Sequence, residues 1–194
     1  MDTFISKLIY LVGFITTNVL IRGPRVKAYK RQKFQATPTT RQDRILFAVT
    51  LIGACLIPIL YLTTPVFRFA DYTLPLAVSL TGIALMILGN WLFWRAHVDL
   101  GVNWSPTIQM REGHELITRG IYRHVRHPMY AAIWLIVLSQ AMILPNYVAG
   151  WSGVLGFGLL YFGRVGKEEQ MMLGLFGKAY EEYMRKTGRL LPKF

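Results

Sequence analysis

Apolar residues in this chain come in long runs, separated by short polar segments that are mostly basic. The runs are Phe4–Ile21 (eighteen residues), Ile45–Phe67 and Tyr72–Trp94 (twenty-three each) and Met129–Gly163 (thirty-five). A helix apolar on all sides needs an apolar surround, and about twenty such residues cross a hydrocarbon core of ~30 Å. The first run carries Lys7 and Asn18 as flaws. Pro58 lacks a backbone donor and predicts a kink in the second. Trp91 and Trp94 close the third as candidate interfacial anchors. The fourth is too long for one helix, and Pro145-Asn146 divides it into limbs of sixteen and seventeen residues, both slightly short for a crossing. Two short spans and a deep re-entrant hairpin both satisfy that pattern, and both return the chain to the face it left. The expected fold is an all-α integral membrane protein with about five transmembrane helices. Residues 1–194 read as one membrane domain, with N-terminal helices in 1–100 and a more polar half in 101–194.

Composition supports a membrane class: 53% of residues are hydrophobic and only 16% charged. The net charge of +12 invites a nucleic-acid reading, but its distribution argues otherwise. Of 22 Lys and Arg, eight lie in 22–44, five in 95–126 and seven in 164–193, leaving only Lys7 and Arg68 elsewhere. Five spans put all three basic segments on one face, which the positive-inside rule assigns to the cytoplasm, with the N-terminus outside and the C-terminus inside. The run from Arg22 to Arg44 then meets anionic headgroups, and no nucleic-acid partner is expected. The lone Cys55 lies inside a hydrophobic run and offers no intrachain disulfide. The N-terminus has no basic leader, so the first run is expected to be a retained span and not a signal peptide.

Chemistry concentrates in two polar blocks that the hairpin brings to one face. His114 to Tyr130 holds three of the four histidines and three arginines, and Arg164 to Arg189 contains Glu168-Glu169. Pro128 fits the first position of a helix whose amino end, with Arg123 and Arg126, favours an anion. A basic collar at the membrane surface is the plainer alternative. His124 and His127 have the i, i+3 spacing of a metal pair, but the flanking arginines repel a cation and no metal is expected. Arg164 and Glu168 at i, i+4 share a helix face, as a surface ion pair or as part of a site. Gly153, Gly156 and Gly158 mimic a nucleotide loop, yet they sit in an apolar helix with no preceding strand and suit close helix packing instead. From Met172 onward, Leu175, Phe176, Ala179, Tyr180, Tyr183 and Met184 recur at helical spacing, predicting an amphipathic helix that lies on the bilayer or roofs a pocket.

The segment Leu116 to Tyr130 (LITRGIYRHVRHPMY), the apolar hairpin, Glu168-Glu169, Phe176-Gly177, Tyr180, Tyr183 and Arg189-Leu190-Leu191-Pro192 together resemble the isoprenylcysteine carboxyl methyltransferase family. The close likeness runs from about His114 to Pro192; the first three spans match only in hydrophobicity. The resemblance implies a membrane enzyme whose cytoplasmic C-terminal half encloses S-adenosylmethionine, releasing S-adenosylhomocysteine, while a prenylcysteine-like, lipid-tailed substrate arrives from the bilayer. It places His114, Glu115, Leu116, Tyr122, Arg123, His124, Arg126, His127, Pro128 and Tyr130 at the cofactor, with Tyr180 and Arg189 closing the pocket. It places Arg164 and Glu168 near the reacting group, with no obligatory protein partner. Where the family often has Gly-Pro-Tyr this chain has Gly120-Ile121-Tyr122, a change in loop stiffness.

Three other activities fit the same C-terminal pattern. Phospholipid N-methyltransferases look similar and would use Glu168 as a base on an ammonium acceptor. Membrane sterol reductases resemble the same block with a nicotinamide cofactor, though usually with more spans. A scaffold that keeps the fold without catalysis is the last.

Overall fold

The computed structural model describes residues 3–30, 40–104 and 115–193, and among them regular structure is helical throughout. The main elements are α1 (Thr3–Tyr29), α2 (Arg41–Thr63), α3 (Leu76–Leu100), α4 (Pro128–Ile143), α5 (Tyr147–Phe176) and α6 (Lys178–Lys186). Four of these, α1, α2, α3 and α5, are long and apolar enough to cross a membrane, and α4 is a shorter apolar helix of 16 residues. The protein is a multi-pass integral membrane protein.

Several polar residues inside the spans bond a neighbouring helix or their own backbone. Lys7 donates to the Tyr61 carbonyl at 3.1 Å and sits 4.2 Å from the centre of that ring. In α1 the side chains of Thr16, Thr17 and Asn18 bond carbonyls four residues back, and the backbone there widens into a π turn, Thr16–Arg22. Such side chains compete with the backbone for its acceptors, which loosens the helical ladder. Thr17 also donates to Asn90 of α3 at 2.8 Å.

The kink expected at Pro58 takes a particular form. A π turn over Ile52–Leu56 precedes the proline. Pro58 has no N–H for the Ala54 carbonyl four residues back, and Tyr10 of α1 donates to that carbonyl instead at 3.3 Å. The Gly53 carbonyl accepts from Ser152 of α5 at 2.7 Å and from Gln140 of α4 at 3.4 Å. A Cβ at Gly53 would collide with the Ser152 carbonyl, so α2 and α5 cross in contact there.

The turn between α4 and α5 is built on Asn146. Its Oδ1 accepts from the Val148 and Ala149 amides at 3.0 and 2.8 Å, capping α5. Its Nδ2 donates to the Phe67 carbonyl and to Asp71 at 2.6 and 2.7 Å, tying the hairpin to the link between α2 and α3. Of the glycines assigned to packing, Gly153 faces Gln140 and Gly158 faces Trp134, both on α4, whereas Gly156 faces the backbone of Val49 and Thr50 on α2.

Several sequence-based boundaries move. α1 runs past Ile21 to Tyr29, and α3 runs past Trp94 to Leu100. The second limb of the hairpin is 30 residues rather than seventeen, about 45 Å at ~1.5 Å per residue. Residues 164–176 carry charge but no proline, so hydropathy ends at Gly163 while the helix does not. The amphipathic stripe expected from Met172 belongs to two helices, because Gly177 turns the chain at φ +49 between α5 and α6. After α6 the chain doubles back: the Gly188 and Arg189 carbonyls accept from the Arg126 and His127 amides at 2.9 and 3.0 Å.

Candidate active site

The loop before α4 is shaped from behind. Gly120 adopts φ +60, and Asp99 at the end of α3 accepts from the Ile121 amide at 2.7 Å while pairing with Arg95 at 2.9 Å. A 3-10 turn over Gly120–Arg123 buries Tyr122. Tyr183 of α6 donates to the Tyr122 carbonyl at 2.5 Å. Truncating that hydroxyl in Tyr183→Phe removes a buried donor and leaves its acceptor without this partner, a loss of about 1–3 kcal/mol. A lowered Tm with unchanged helical circular dichroism in detergent is the expected result; an unchanged Tm would show that the hydroxyl does not hold the loop.

Two adjacent carboxylates organise the site from different faces of α5, since neighbouring positions on a helix point about 100° apart. Glu169, buried, accepts from Arg126 Nε at 3.1 Å, His127 Nε2 at 3.2 Å and Arg189 Nε at 3.1 Å, and takes a second bond from Arg189 Nη2. Arg126 also donates through Nη1 to the Met184 carbonyl at 3.1 Å and to the Thr187 carbonyl. One carboxylate thereby joins the loop, α5 and the returning C-terminal segment. Glu168 accepts from Arg164 Nη2 at 3.0 Å and from the Tyr130 hydroxyl at 2.6 Å. Arg164 is 3% exposed, stacks over Phe47 of α2 at 4.5 Å, and leaves its buried Nε with no partner. The Tyr130 ring lies against His127 at 5.5 Å and meets Tyr161 edge-on at 5.5 Å.

A cavity of about 970 Å³ lies among these groups. Glu115, Leu116, Tyr122, Arg126, His127, Pro128, Tyr130, Tyr180, Arg164 and Glu168 all line it. Burial pushes the Tyr180 hydroxyl up to about 12, so it keeps its proton and remains a donor at neutral pH. From the polar groups the cavity extends into the helix bundle along Phe14, Phe47, Met86, Ile133, Val137 and Leu160, as far as Tyr10 and Gln140.

Not every residue singled out in the sequence lies on this cavity. Arg189 grips Glu169 with a side chain 46% exposed. Arg123 and His124 are exposed and bond each other at 3.0 Å, away from the cavity. His127 faces the two glutamates, so the histidine pair does not converge as metal ligands would. His114 falls outside the described residues.

Other residues carry the site without having stood out. Glu169 was visible only as half of a charged pair, and Asp99 and Tyr183 only as a helix end and a stripe position. The membrane-facing arm draws on α1 and α2, whose hydropathy alone does not show which side chains face inward. His97 also lines the cavity, with Nδ1 on the Phe93 carbonyl at 2.8 Å and a buried Nε2 without a partner.

Known proteins resemble this chain in sequence and fold. The family model described as the isoprenylcysteine carboxyl methyltransferase family matches residues 82–174, from within α3 to near the end of α5. The protein-S-isoprenylcysteine O-methyltransferase of Schizosaccharomyces pombe is 28% identical over 130 residues, 64% of this chain and 55% of that protein. A probable protein-S-isoprenylcysteine O-methyltransferase of Oryza sativa subsp. japonica is 30% identical over 117 residues, 59% of this chain and 61% of that protein. The Homo sapiens protein of that name is 28% identical over 117 residues, 59% of this chain and 41% of its own. The chain thus spans from about two fifths to three fifths of these relatives' length. Among solved structures, the eukaryotic intramembrane Ras methyltransferase, an isoprenylcysteine carboxyl methyltransferase solved without a monobody, shares the fold. Its TM-score is 0.55 at 24% identity, covering 81% of this chain and 54% of that one.

Proposed function

Taking as premise that the chain belongs to the isoprenylcysteine carboxyl methyltransferase family, we propose that it methylates the carboxylate of a lipid-tailed acceptor, a prenylated cysteine or a similar acid, with S-adenosylmethionine as donor. The observation that carries this reading is Arg164. A buried guanidinium is fixed by Glu168 and Phe47 at the junction of the polar and apolar parts of the cavity, and one N–H still lacks an acceptor. A carboxylate oxygen supplies what that group lacks. An ammonium does not.

The residues present fit the donor proposed. Its amino-acid carboxylate suits the remaining Nη2 of Arg126 and the Met129 and Tyr130 amides in the first turn of α4, whose first residue, Pro128, has no N–H. The faces of Tyr130 and Tyr180 suit a sulfonium, as ring faces attract cations. When bound, the cofactor supplies a methyl group whose bond to sulfur breaks as a bond to the acceptor oxygen forms, leaving a neutral thioether and a neutral ester with no proton gained or lost.

The protein's part is placement. A terminal carboxylate with a reference pKa of about 3.5 is already ionised at neutral pH, so no general base is needed. Arg164 orients the acceptor, Glu168 and Phe47 hold Arg164, Tyr130 holds Glu168, and the apolar walls keep water from the reacting oxygen. Glu168 is occupied by Arg164 and Tyr130, which weighs against it as the base of an amine methyltransferase. The basic face, and the site with it, is assigned to the cytoplasm by the charge asymmetry.

The test uses protein purified in detergent, radiolabelled S-adenosylmethionine and N-acetyl-S-farnesylcysteine. Label released as methanol by alkali is the expected product. Alkali-stable label on an amino lipid, or calorimetric binding of NADPH but not of S-adenosylhomocysteine, would overturn the reading.

A further inference from the structure

Arg22 is a cation inside a membrane-spanning helix that the site described so far does not use. It closes the π turn of α1 and lines the cavity, and no described residue accepts a hydrogen bond from it or pairs with it. Cys55 of α2 and His97 of α3 line the same cavity, and neither side chain is an anion at neutral pH by its reference pKa. Arg22 directly follows the apolar run Phe4–Ile21, and a guanidinium at the end of a span marks a path for something of opposite charge.

Its position says where that path runs. α1 and α2 are tied toward the face opposite the basic one, by Lys7 on the Tyr61 carbonyl and Tyr10 on the Ala54 carbonyl. Toward the basic face the cavity lies between them, bounded by Phe14, Asn18 and Arg22 on α1 and by Phe47, Leu51 and Cys55 on α2. Leu51 both lines the cavity and is 63% exposed, which marks the gap between α1 and α2 as an opening of the cavity. Of the six residues named as bounding the slot, only Asn18 and Arg22 are strongly polar and none is acidic.

We infer that Arg22 is a specificity residue at a lateral opening between α1 and α2, where it engages the carboxylate of an anionic, single-tailed lipid and admits it in preference to uncharged or cationic lipids. This rests on the proposed methylation of a lipid-tailed acid and adds to it how the acid is selected. A guanidinium with free donors recognises a carboxylate through paired, charge-assisted hydrogen bonds, whereas the apolar walls accept any tail. Selection by charge therefore falls to Arg22 at the slot and to Arg164 at the reacting centre.

The experiment compares binding of N-acetyl-S-farnesylcysteine and of its carboxamide to the protein loaded with S-adenosylhomocysteine. Wild type, Arg22→Ala and Arg22→Lys are measured in neutral detergent micelles. The expected result is a preference for the acid of roughly tenfold or more in wild type, the scale of a partly desolvated charge-assisted bond. That preference is largely lost in Arg22→Ala and largely kept in Arg22→Lys, with S-adenosylhomocysteine affinity unchanged. Equal weakening of acid and amide in Arg22→Ala would show that Arg22 only shapes the slot, and would overturn the inference. So would an unaltered preference, or a wild type that binds both ligands alike. Weakened binding of phosphatidylglycerol with acid preference intact would make Arg22 a headgroup anchor and overturn it too. The comparison needs no turnover, so a protein that selects the acid yet forms no methyl ester sinks the proposed function and leaves the role of Arg22 standing.

Discussion

Glu169→Gln is expected to abolish measurable binding of S-adenosylhomocysteine and to lower the unfolding free energy by about 3–5 kcal/mol, the range for breaking a buried ion pair by removing one partner. The neutral amide leaves Arg126 and Arg189, with His127 beside them, facing one another without the carboxylate that gathers them. Arg189 is nearly half exposed, and solvent screens its share, so the loss comes chiefly from Arg126 and His127. The cofactor suffers more than the fold, because Arg126, His127 and the start of α4 all lose their placement together. Calorimetry and a thermal melt on the same detergent preparation decide the matter. Near-normal affinity with near-normal Tm would remove Glu169 from the site; a lowered Tm with intact affinity would make it purely structural.

The second large effect is expected at Arg164, with the opposite signature. Arg164→Ala should lower kcat for the farnesylated acid by ~10²–10³, the scale seen when one donor aimed at the reacting centre is removed. S-adenosylhomocysteine affinity should stay within a few-fold of wild type, since Arg164 pairs with Glu168 and not with the cluster around Glu169. Arg164→Lys should recover little, because an ammonium lacks the planar fork that serves Glu168 and an acceptor oxygen at once. Rapid-quench turnover separates the two quantities. A normal kcat in Arg164→Ala would end its role at the acceptor.

The sequence made the spans legible because continuous hydropathy and a single Pro-Asn break are strong signals, and both survive in the five apolar helices. It did not reveal where α5 ends, because charges at Arg164, Glu168 and Glu169 stop a hydropathy window without stopping a helix. Helix rotation was equally hidden. Nothing in an apolar run says that Tyr10 will meet Ala54 and Gln140, or that Phe47 will lie under Arg164. Within the polar loop, Arg123-His124 and Arg126-His127 look alike as dipeptides. The 3-10 turn that buries Tyr122 leaves the first pair exposed, and the backbone bonds to Gly188 and Arg189 hold the second pair on the cavity. Glu168 and Glu169 have the same chemistry and adjacent numbers; only the helical angle between them separates the acceptor's side from the cofactor's.

The cluster around Glu169 also orders events during biosynthesis. Its partners come from residues 126 and 127 ahead of the hairpin and from residue 189 well beyond it, and Arg126 is anchored on carbonyls at 184 and 187. The hairpin residues 128–176 are synthesised before those last residues, and the N-terminal parts of a chain fold first. A nascent chain therefore spans the bilayer while its cofactor pocket still has an open side. The pocket is finished only when Arg189 reaches Glu169.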